Sequence, residues 1–216
     1  MNPTAWRTYL VTGAAHSAGR ETETVVADAL AGGVDAVQLR EKGVDARERY
    51  RLGKRLRELT AAADTPLVVN DRIDLAAAID ADGVHLGQSD LPATVAREQL
   101  GPEAVVGVSA STVAEARAAE ADGADYVGVG AVYATGSKDV PDEENGIGTD
   151  RVTAIADAVD IPVIGIGGID VENAGAVAAA GATGVAVISA ITAAADPESA
   201  TAALSAAVRD AEATDV

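Results

Sequence analysis

The chain has 216 residues, enough for one α/β domain, and 48% of them are apolar although Phe is absent and there are only one Trp and four Tyr. Asp and Glu number 34 against 16 Lys and Arg, and a net charge of −18 disfavours nucleic acid and anionic membrane surfaces as partners. The absence of Cys removes disulfides and thiolate metal sites.

The apolar load falls on Ala, Val, Leu and Ile, which suits parallel strands covered by helices. Three lysines stand beside thirteen arginines, and with the acidic surface this reads as a halophilic protein. The opening residues MNPTAWRTYLVTG carry no basic stretch followed by a long apolar run, so no signal peptide is read and a cytoplasmic location is expected.

Short β-branched runs alternate with Ala-rich amphipathic stretches from end to end, the pattern of repeated βα units. The first strand is predicted at Thr8–Thr12 and the first helix over 21–31. His16, between them, lies in a polar loop and carries no argument. The second strand, Ala36–Arg40, leads to a helix over 46–63; alternation puts Gln38, Arg40 and Lys42 on one side and Val37, Leu39 and Glu41 on the other. In a barrel the polar side is the interior, where two cations are costly unless anions compensate them. A bound phosphate or diphosphate would do so; an exposed strand end with internal ion pairs is the plain alternative.

The third strand, Leu67–Asn70, ends in Asn70-Asp71 before a helix over 72–80. The fourth, Gly83–Leu86, is followed by Gly87-Gln88-Ser89-Asp90 and a helix over 92–100. Two carboxylates at neighbouring strand ends can share Mg²⁺, which keeps waters and substrate phosphate in its shell. Taken alone, each Asp reads as a helix cap ahead of a metal ligand, since both stand before a helix and Asp90 precedes Leu91-Pro92. His85 sits inside the fourth strand and reads as a core histidine ahead of a catalytic base. Ser109 closes the fifth strand, Val105–Ser109, as a ligand contact or as the cap of the turn before the helix over 112–121.

The sixth strand, Tyr126–Gly130, opens into the longest loop, Ala131–Gly148, which reads as a lid. Within it Thr135-Gly136-Ser137-Lys138 offers two hydroxyls, an adaptable glycine and an ammonium to an anion, although turn chemistry alone explains Thr-Gly-Ser. After a helix over 150–158 the seventh strand, Pro162–Gly167, runs into Gly168-Ile169 and a helix over 171–180. The eighth, Val185–Ser189, precedes a helix over 197–211. Glycine amides after strand seven and Ser189 after strand eight match the phosphate cradle that barrels build at that pair of loops.

Gly before a Val-rich strand recurs at Gly33, Gly83, Gly123 and Gly181, where it can end a helix in the left-handed conformation. Eight strands in this length predict a single (β/α)₈ TIM barrel over 1–216, with a doubly wound sheet as the rival. The uncharged stretch 173–195 is long enough to span a bilayer, but Gly181-Ala182-Thr183-Gly184 splits it into helix, turn and strand. No Ser-His-Asp or histidine metal spacing is present, so hydrolase chemistry has no constellation.

In this order QLREK at Gln38–Lys42, VND at Val69–Asp71, HLGQSD at His85–Asp90, GVSA at Gly107–Ala110, ADYVGVG at Ala124–Gly130, TGSK at Thr135–Lys138 and PVIGIGGI at Pro162–Ile169 resemble the thiamine-phosphate synthase family. The likeness runs from about Tyr9 to Val208. It implies a transferase of thiamine biosynthesis that condenses a hydroxymethylpyrimidine diphosphate with a thiazole phosphate. By the same likeness Gln38, Leu39, Arg40, Glu41, Lys42, Asn70, Ser109 and Lys138 would hold the pyrimidine diphosphate, and Asp71 and Asp90 would carry Mg²⁺. Thr135, Gly136, Ser137, Gly168, Ile188 and Ser189 would hold the thiazole phosphate, with Arg40, Lys42 and Lys138 acting on the leaving diphosphate.

The family reaction resembles a dissociative displacement, in which charge neutralisation on the leaving group matters more than a general base. Where the family often has Tyr-Pro-Thr-x-Thr-Lys, this chain has Tyr133-Ala134-Thr135-Gly136-Ser137-Lys138, and the acidic run Asp139 to Glu144 follows, expected to point outward. A thiazole tautomerase of the same barrel family, or a non-catalytic phosphate-metabolite sensor, would need neither the two carboxylates nor the three cations. Small molecules are the expected partners, and self-association into a homo-oligomer is compatible with such a barrel.

Overall fold

The computed structural model describes residues 2–136 and 145–214. Eight strands close into an all-parallel barrel in sequence order: β1 Thr8–Val11, β2 Ala36–Leu39, β3 Leu67–Asn70, β4 Gly83–Leu86, β5 Val105–Ala110, β6 Tyr126–Val129, β7 Val163–Ile166 and β8 Gly184–Val187. Around it run α1 Thr22–Ala31, α2 Ala46–Ala62, α3 Ile73–Ile79, α4 Ala93–Leu100, α5 Val113–Ala121, α6 Thr149–Ala156, α7 Ala174–Ala179, α8 Ser189–Thr192 and α9 Pro197–Thr214. β8 returns to β1 with Tyr9 opposite Ala186, which closes the ring and removes the open-sheet alternative.

The strands are continuous apolar runs because both faces are covered. Outward side chains such as Val37, Leu39, Val84 and Val127 pack under the helices with Ala29, Ala76, Ala96 and Ala116. Inward ones form a separate core of Trp6, Tyr9, Val68, Val105, Tyr126, Ile164 and Ala186. Three of the chain's five Trp and Tyr side chains thus lie at the N-terminal end of the lumen, ring centroids 5.2 to 6.1 Å apart in tilted or edge-on contact. Gly107 makes room for them, since a Cβ there would stand 2.1 Å from the Tyr126 ring.

The same end is held by a repeated device. The Asp just before β2, β4 and β6 accepts from an amide of the neighbouring strand: Asp35 from Thr8, Asp82 from Leu67, and Asp125 from Val106, at 2.7 to 2.9 Å. Arg57 and Arg97 reach Asp82 and Asp125. The glycine echo has the expected left-handed form after α1, α5 and α7, with φ of +80° at Gly33, +85° at Gly123 and +96° at Gly181. At Gly83 it differs, because Asp80 takes the left-handed cap of α3, while Gly83 begins β4 with its missing Cβ facing the Val105 carbonyl.

The eighth repeat also departs from expectation. The predicted strand end at Ser189 is instead the first residue of the extra helix α8, with Ile188 as its N-cap. A strand reading of the run Val-Ala-Val-Ile-Ser is natural from β-propensity alone; the helix begins because Thr192 and Ala193 close turns onto Ile188 and Ser189. The stretch 173–195 is divided among α7, β8 and α8, and no helix among the described residues is long and apolar enough to cross a membrane.

Candidate functional site

At the C-terminal ends of the strands a cavity of about 890 Å³ opens, lined by residues that follow every strand but the first. This is where barrels carry their chemistry, because the loops there vary without disturbing the barrel. Arg40, Lys42, Asn70, Asp71, Asp90, Ser109, Thr135, Gly136, Gly168, Ile188 and Ser189, singled out from sequence, all line it. Ser137 and Lys138 lie outside the described residues, as does the acidic run Asp139 to Glu144.

The polar face of β2 behaves as alternation requires. Arg40 is buried, its amide donating to the Thr12 hydroxyl at 2.9 Å, and Lys42 stands at the exposed rim. Leu39 packs outward under the helices. The Glu41 carboxylate also turns outward, accepting from the Ala14 amide and the Thr22 hydroxyl at 2.9 and 3.0 Å, so it anchors the loop after β1 rather than facing the cavity. Gln38 is one layer below the cavity, donating to the Tyr9 hydroxyl at 2.9 Å. The loop carrying Lys42 is braced by Arg49, whose guanidinium donates to the carbonyls of Glu41 and Val44. Arg49 went unnoticed in the sequence because, inside a helix full of arginines, it looks like surface charge.

The two aspartates do not cap helices with their side chains. α3 has Arg72 and α4 has Pro92 at the N-cap, neither with a side-chain cap bond. Asp71 adopts a left-handed φ of +63°, its amide donating to the His85 carbonyl at 2.8 Å. For a non-glycine residue this conformation costs about 1 kcal/mol or more and is typical of functional sites. Asp90 folds back on its own turn, accepting from the Gly87 amide at 2.6 Å. The carboxyls of Asp71 and Asp90 meet: burial first, then the charge and hydrogen bond of Asp90, push Asp71 above the usual carboxylate range, while Lys42 and Arg40 pull the other way. Two half-buried carboxylates facing each other beside two cations form an oxygen donor pair that a hard divalent cation would relieve. Among the described residues no group of three or more His, Cys, Asp or Glu side chains could hold a metal, so any such ion needs oxygens from elsewhere.

Opposite this charged wall, the turn after β7 has Gly167 at φ +103° and Gly168 at φ +62°. A Cβ on Gly167 would stand 2.6 Å from Ala131, and one on Gly168 2.8 Å from the Tyr133 Cβ, so both glycines are required for the turn to nest against the loop after β6. Asn173 fixes it by donating to the Gly168 carbonyl at 3.0 Å. Beside it Ser189 and Ala190, the first residues of α8, line the cavity; the first turn of a helix leaves N–H groups without intrahelical partners.

The long loop is tied at both stems. Asn145 clasps Thr135, accepting from its amide at 2.9 Å, and the amides of Gly146, Ile147 and Gly148 return to Ala131 and Val132. Asn145 was not singled out in the sequence, where it reads as one more turn residue beside Gly146.

His85 is buried, as a core histidine should be, yet it also forms part of the cavity floor, bonded to Ser109 at 2.9 Å and to Tyr126 at 3.0 Å. Ser109 therefore lines the cavity from a fixed position and caps no helix: Thr112, in a capping box with Glu115, caps α5.

This architecture has close counterparts. The thiamine monophosphate synthase family model matches residues 8–191. A thiamine-phosphate synthase of Haloarcula marismortui is 64% identical over 94% of this chain and 97% of its own length, and one of Moorella thermoacetica is 55% identical over 88% and 90%. The structure of thiamine phosphate pyrophosphorylase from Pyrococcus furiosus superposes with a TM-score of 0.87 at 39% identity, covering 96% of this chain and 98% of that one. A 3-hexulose-6-phosphate synthase, at 22% identity and a TM-score of 0.67, shares the fold alone. With its barrel, its charged wall and these relatives in agreement, the chain belongs to the thiamine monophosphate synthase family.

Proposed function

We propose that the whole chain acts as one catalytic barrel that joins 4-amino-2-methyl-5-(diphosphooxymethyl)pyrimidine to 4-methyl-5-(2-phosphooxyethyl)thiazole, or to its carboxylated form with additional loss of CO₂, releasing diphosphate and forming thiamine phosphate. Family membership makes it a transferase of thiamine biosynthesis. The observation that carries the detailed reading is the carboxyl pair Asp71–Asp90 set beside Arg40 and Lys42 at the mouth of one cavity. Neither a tautomerase nor a phosphate sensor has use for that combination.

Arg40 and Lys42 would bind the diphosphate, and Asp71 and Asp90 would hold Mg²⁺. When bound, Mg²⁺ supplies positive charge that stabilises the leaving group. The C–O bond to the diphosphate breaks with its electron pair going to oxygen, and the thiazole nitrogen donates a pair to the pyrimidinylmethyl carbon. Lys138, with Arg40 and Lys42, would offset the negative charge that grows on the departing oxygen, the kind of term that dominates such reactions. The thiazole phosphate would sit on the amides of Gly168 and Ser189, with Ile188, Thr135, Gly136 and Ser137 around it. Asn70 and Ser109 would orient the pyrimidine from the cavity wall, Gln38 would act on it from the layer below, and the outward-facing Leu39 and Glu41 would contribute only by fixing the β2 run. The charge of −18 supports a salt-adapted enzyme, and we place it in the cytoplasm as part of the same proposal.

The test is thiamine phosphate formation by the purified protein, followed by mass. Product should appear only with both heterocycles and Mg²⁺ present; product without the metal would remove the aspartates from their assigned role.

A further inference from the structure

Behind the cavity floor lies an unbroken line of polar groups in an otherwise apolar lumen: Gln38 Nε2, Tyr9 Oη, Tyr126 Oη, His85 Nδ1, His85 Nε2 and Ser109 Oγ, in steps of 2.9, 3.1, 3.0 and 2.9 Å. Tyr9 and Tyr126 are fully buried, and burial raises both phenols far above their ordinary range, so each keeps its single proton. With one proton on each phenol the line runs the same way throughout, and the Gln38 amide at its end sets which way. The Gln38 amide donates to Tyr9, so Tyr9 gives its proton to Tyr126, and Tyr126 gives its own to Nδ1 of His85. In the reverse order Tyr9 would accept twice and its proton would be left in the core with no acceptor, at the full desolvation cost of a buried donor. Turning the Gln38 amide over would in turn leave both its N–H groups where its Oε1 now lies without a partner.

We propose that Gln38, Tyr9 and Tyr126 are positioning residues that hold neutral His85 as its Nε2–H tautomer, so that Ser109 accepts from His85 and presents its own proton to an acceptor atom of the heterocycle in the cavity. The line makes the floor a hydrogen-bond donor toward the ligand. The discriminating partner is a ring nitrogen with a lone pair, and an analogue carrying N–H or C–H at that position is rejected. Two glycines are shaped for this purpose: a Cβ on Gly128 would stand 2.9 Å from His85 Cε1, and one on Gly107 would enter the Tyr126 ring. The specificity part rests on the pyrimidine site described above; the tautomer does not.

The chain has only two histidines, so ¹⁵N-histidine NMR of the full, substrate-free protein reads the tautomer directly, with His16→Asn to assign the second ring. The spectrum is taken well above the ordinary imidazole pKa of about 6.5. The expected result is a protonated Nε2 and an unprotonated Nδ1 for His85. Tyr126→Phe, which keeps the ring but removes the donor, should mix the two tautomers and raise KM for the pyrimidine diphosphate about five- to tenfold, the equivalent of one hydrogen bond, with a smaller change in kcat. Tyr9→Phe should move both readouts the same way and guards against a Tyr126 variant that does not fold. A wild-type His85 protonated on Nδ1 would overturn the proposal, as would a Tyr126→Phe or Tyr9→Phe protein with unchanged tautomer. Altered tautomers with an unchanged KM would overturn its specificity half. Since the tautomer is read without substrate, an error in the assigned reaction would leave the wild-type spectrum as expected.

Discussion

Replacing Gly168 by Ala separates two costs that the structure assigns to one atom. At φ +62° any Cβ is strained by about 1–2 kcal/mol. At this position it would also stand 2.8 Å from the Tyr133 Cβ and 2.9 Å from the carbonyl oxygens of Tyr133 and Ala134, and backbone cannot swing aside as a flexible side chain can. Overpacking of that kind adds roughly 1–3 kcal/mol. Gly123→Ala is the matched control, with φ of +85° and nothing within 4 Å of the new methyl. There the backbone strain, partly offset by a less flexible unfolded chain, should leave a net loss of about 1 kcal/mol, a fall in Tm of roughly 2–4 °C for a chain of this size. Gly168→Ala should lose about 2–4 kcal/mol and two to four times as much in Tm. Because the strain is released by pushing the β7 turn away from the loop after β6, KM for the thiazole phosphate should rise while KM for the pyrimidine diphosphate holds. Thermal melts and initial rates on both variants decide it. Equal melting temperatures together with equal KM values would refute the idea that close approach, rather than backbone conformation alone, makes this glycine necessary.

Asp71→Asn and Asp90→Asn should each weaken turnover and raise the Mg²⁺ concentration needed for half-maximal rate; unchanged rates at limiting Mg²⁺ would leave them as loop braces. The Asp71 carboxyl is raised by burial and by Asp90, so its contribution to stability is full at acid pH and is lost as pH rises through its folded value. In metal-free buffer near neutral pH, Asp71→Asn should therefore melt higher than the wild type, and the gap should close on acidification. Lys138→Ala should lower kcat on the order of 10²-fold if it removes one preorganised donor to the leaving group, whereas Lys54→Ala, in α2, should not. Equal, near-wild-type rates would take Lys138 out of the reaction. With 34 carboxylates against 16 cations, stability should climb as the Debye length shrinks from roughly 10 Å at 0.1 M salt to about 3 Å at 1 M. A Tm flat from about 0.1 M to 2 M KCl would contradict the salt-adapted surface.

The barrel was legible because hydrophobic period and strand count are local signals: all eight strands begin within one residue of their predicted starts. Ser189 was misassigned to a strand because the helix after β8 is a single turn, too short for any 3.6-residue period to develop. At the site, alternation along β2 correctly turned Arg40 inward and Glu41 outward. Taken alone, Asp71 and Asp90 read as caps, because an acidic residue before a helix is the common cap; the left-handed turn at Asp71 and the fold-back of Asp90 show that neither side chain caps a helix. Arg49, Asn145 and the Tyr9–Tyr126 line escaped notice for a common reason. Each acts on groups far away in sequence, Tyr9 and Tyr126 being 117 residues apart, and a single sequence carries no mark of such pairing.

On the proposed reading one cavity would hold a leaving diphosphate and its replacement together, so that departure and capture are coupled. Diphosphate and thiamine phosphate should therefore be measured in the same reaction. The two should appear one for one, and the pyrimidine diphosphate alone, with Mg²⁺ but no thiazole phosphate, should release little diphosphate. Rapid diphosphate release without the thiazole, or release far in excess of thiamine phosphate, would contradict it.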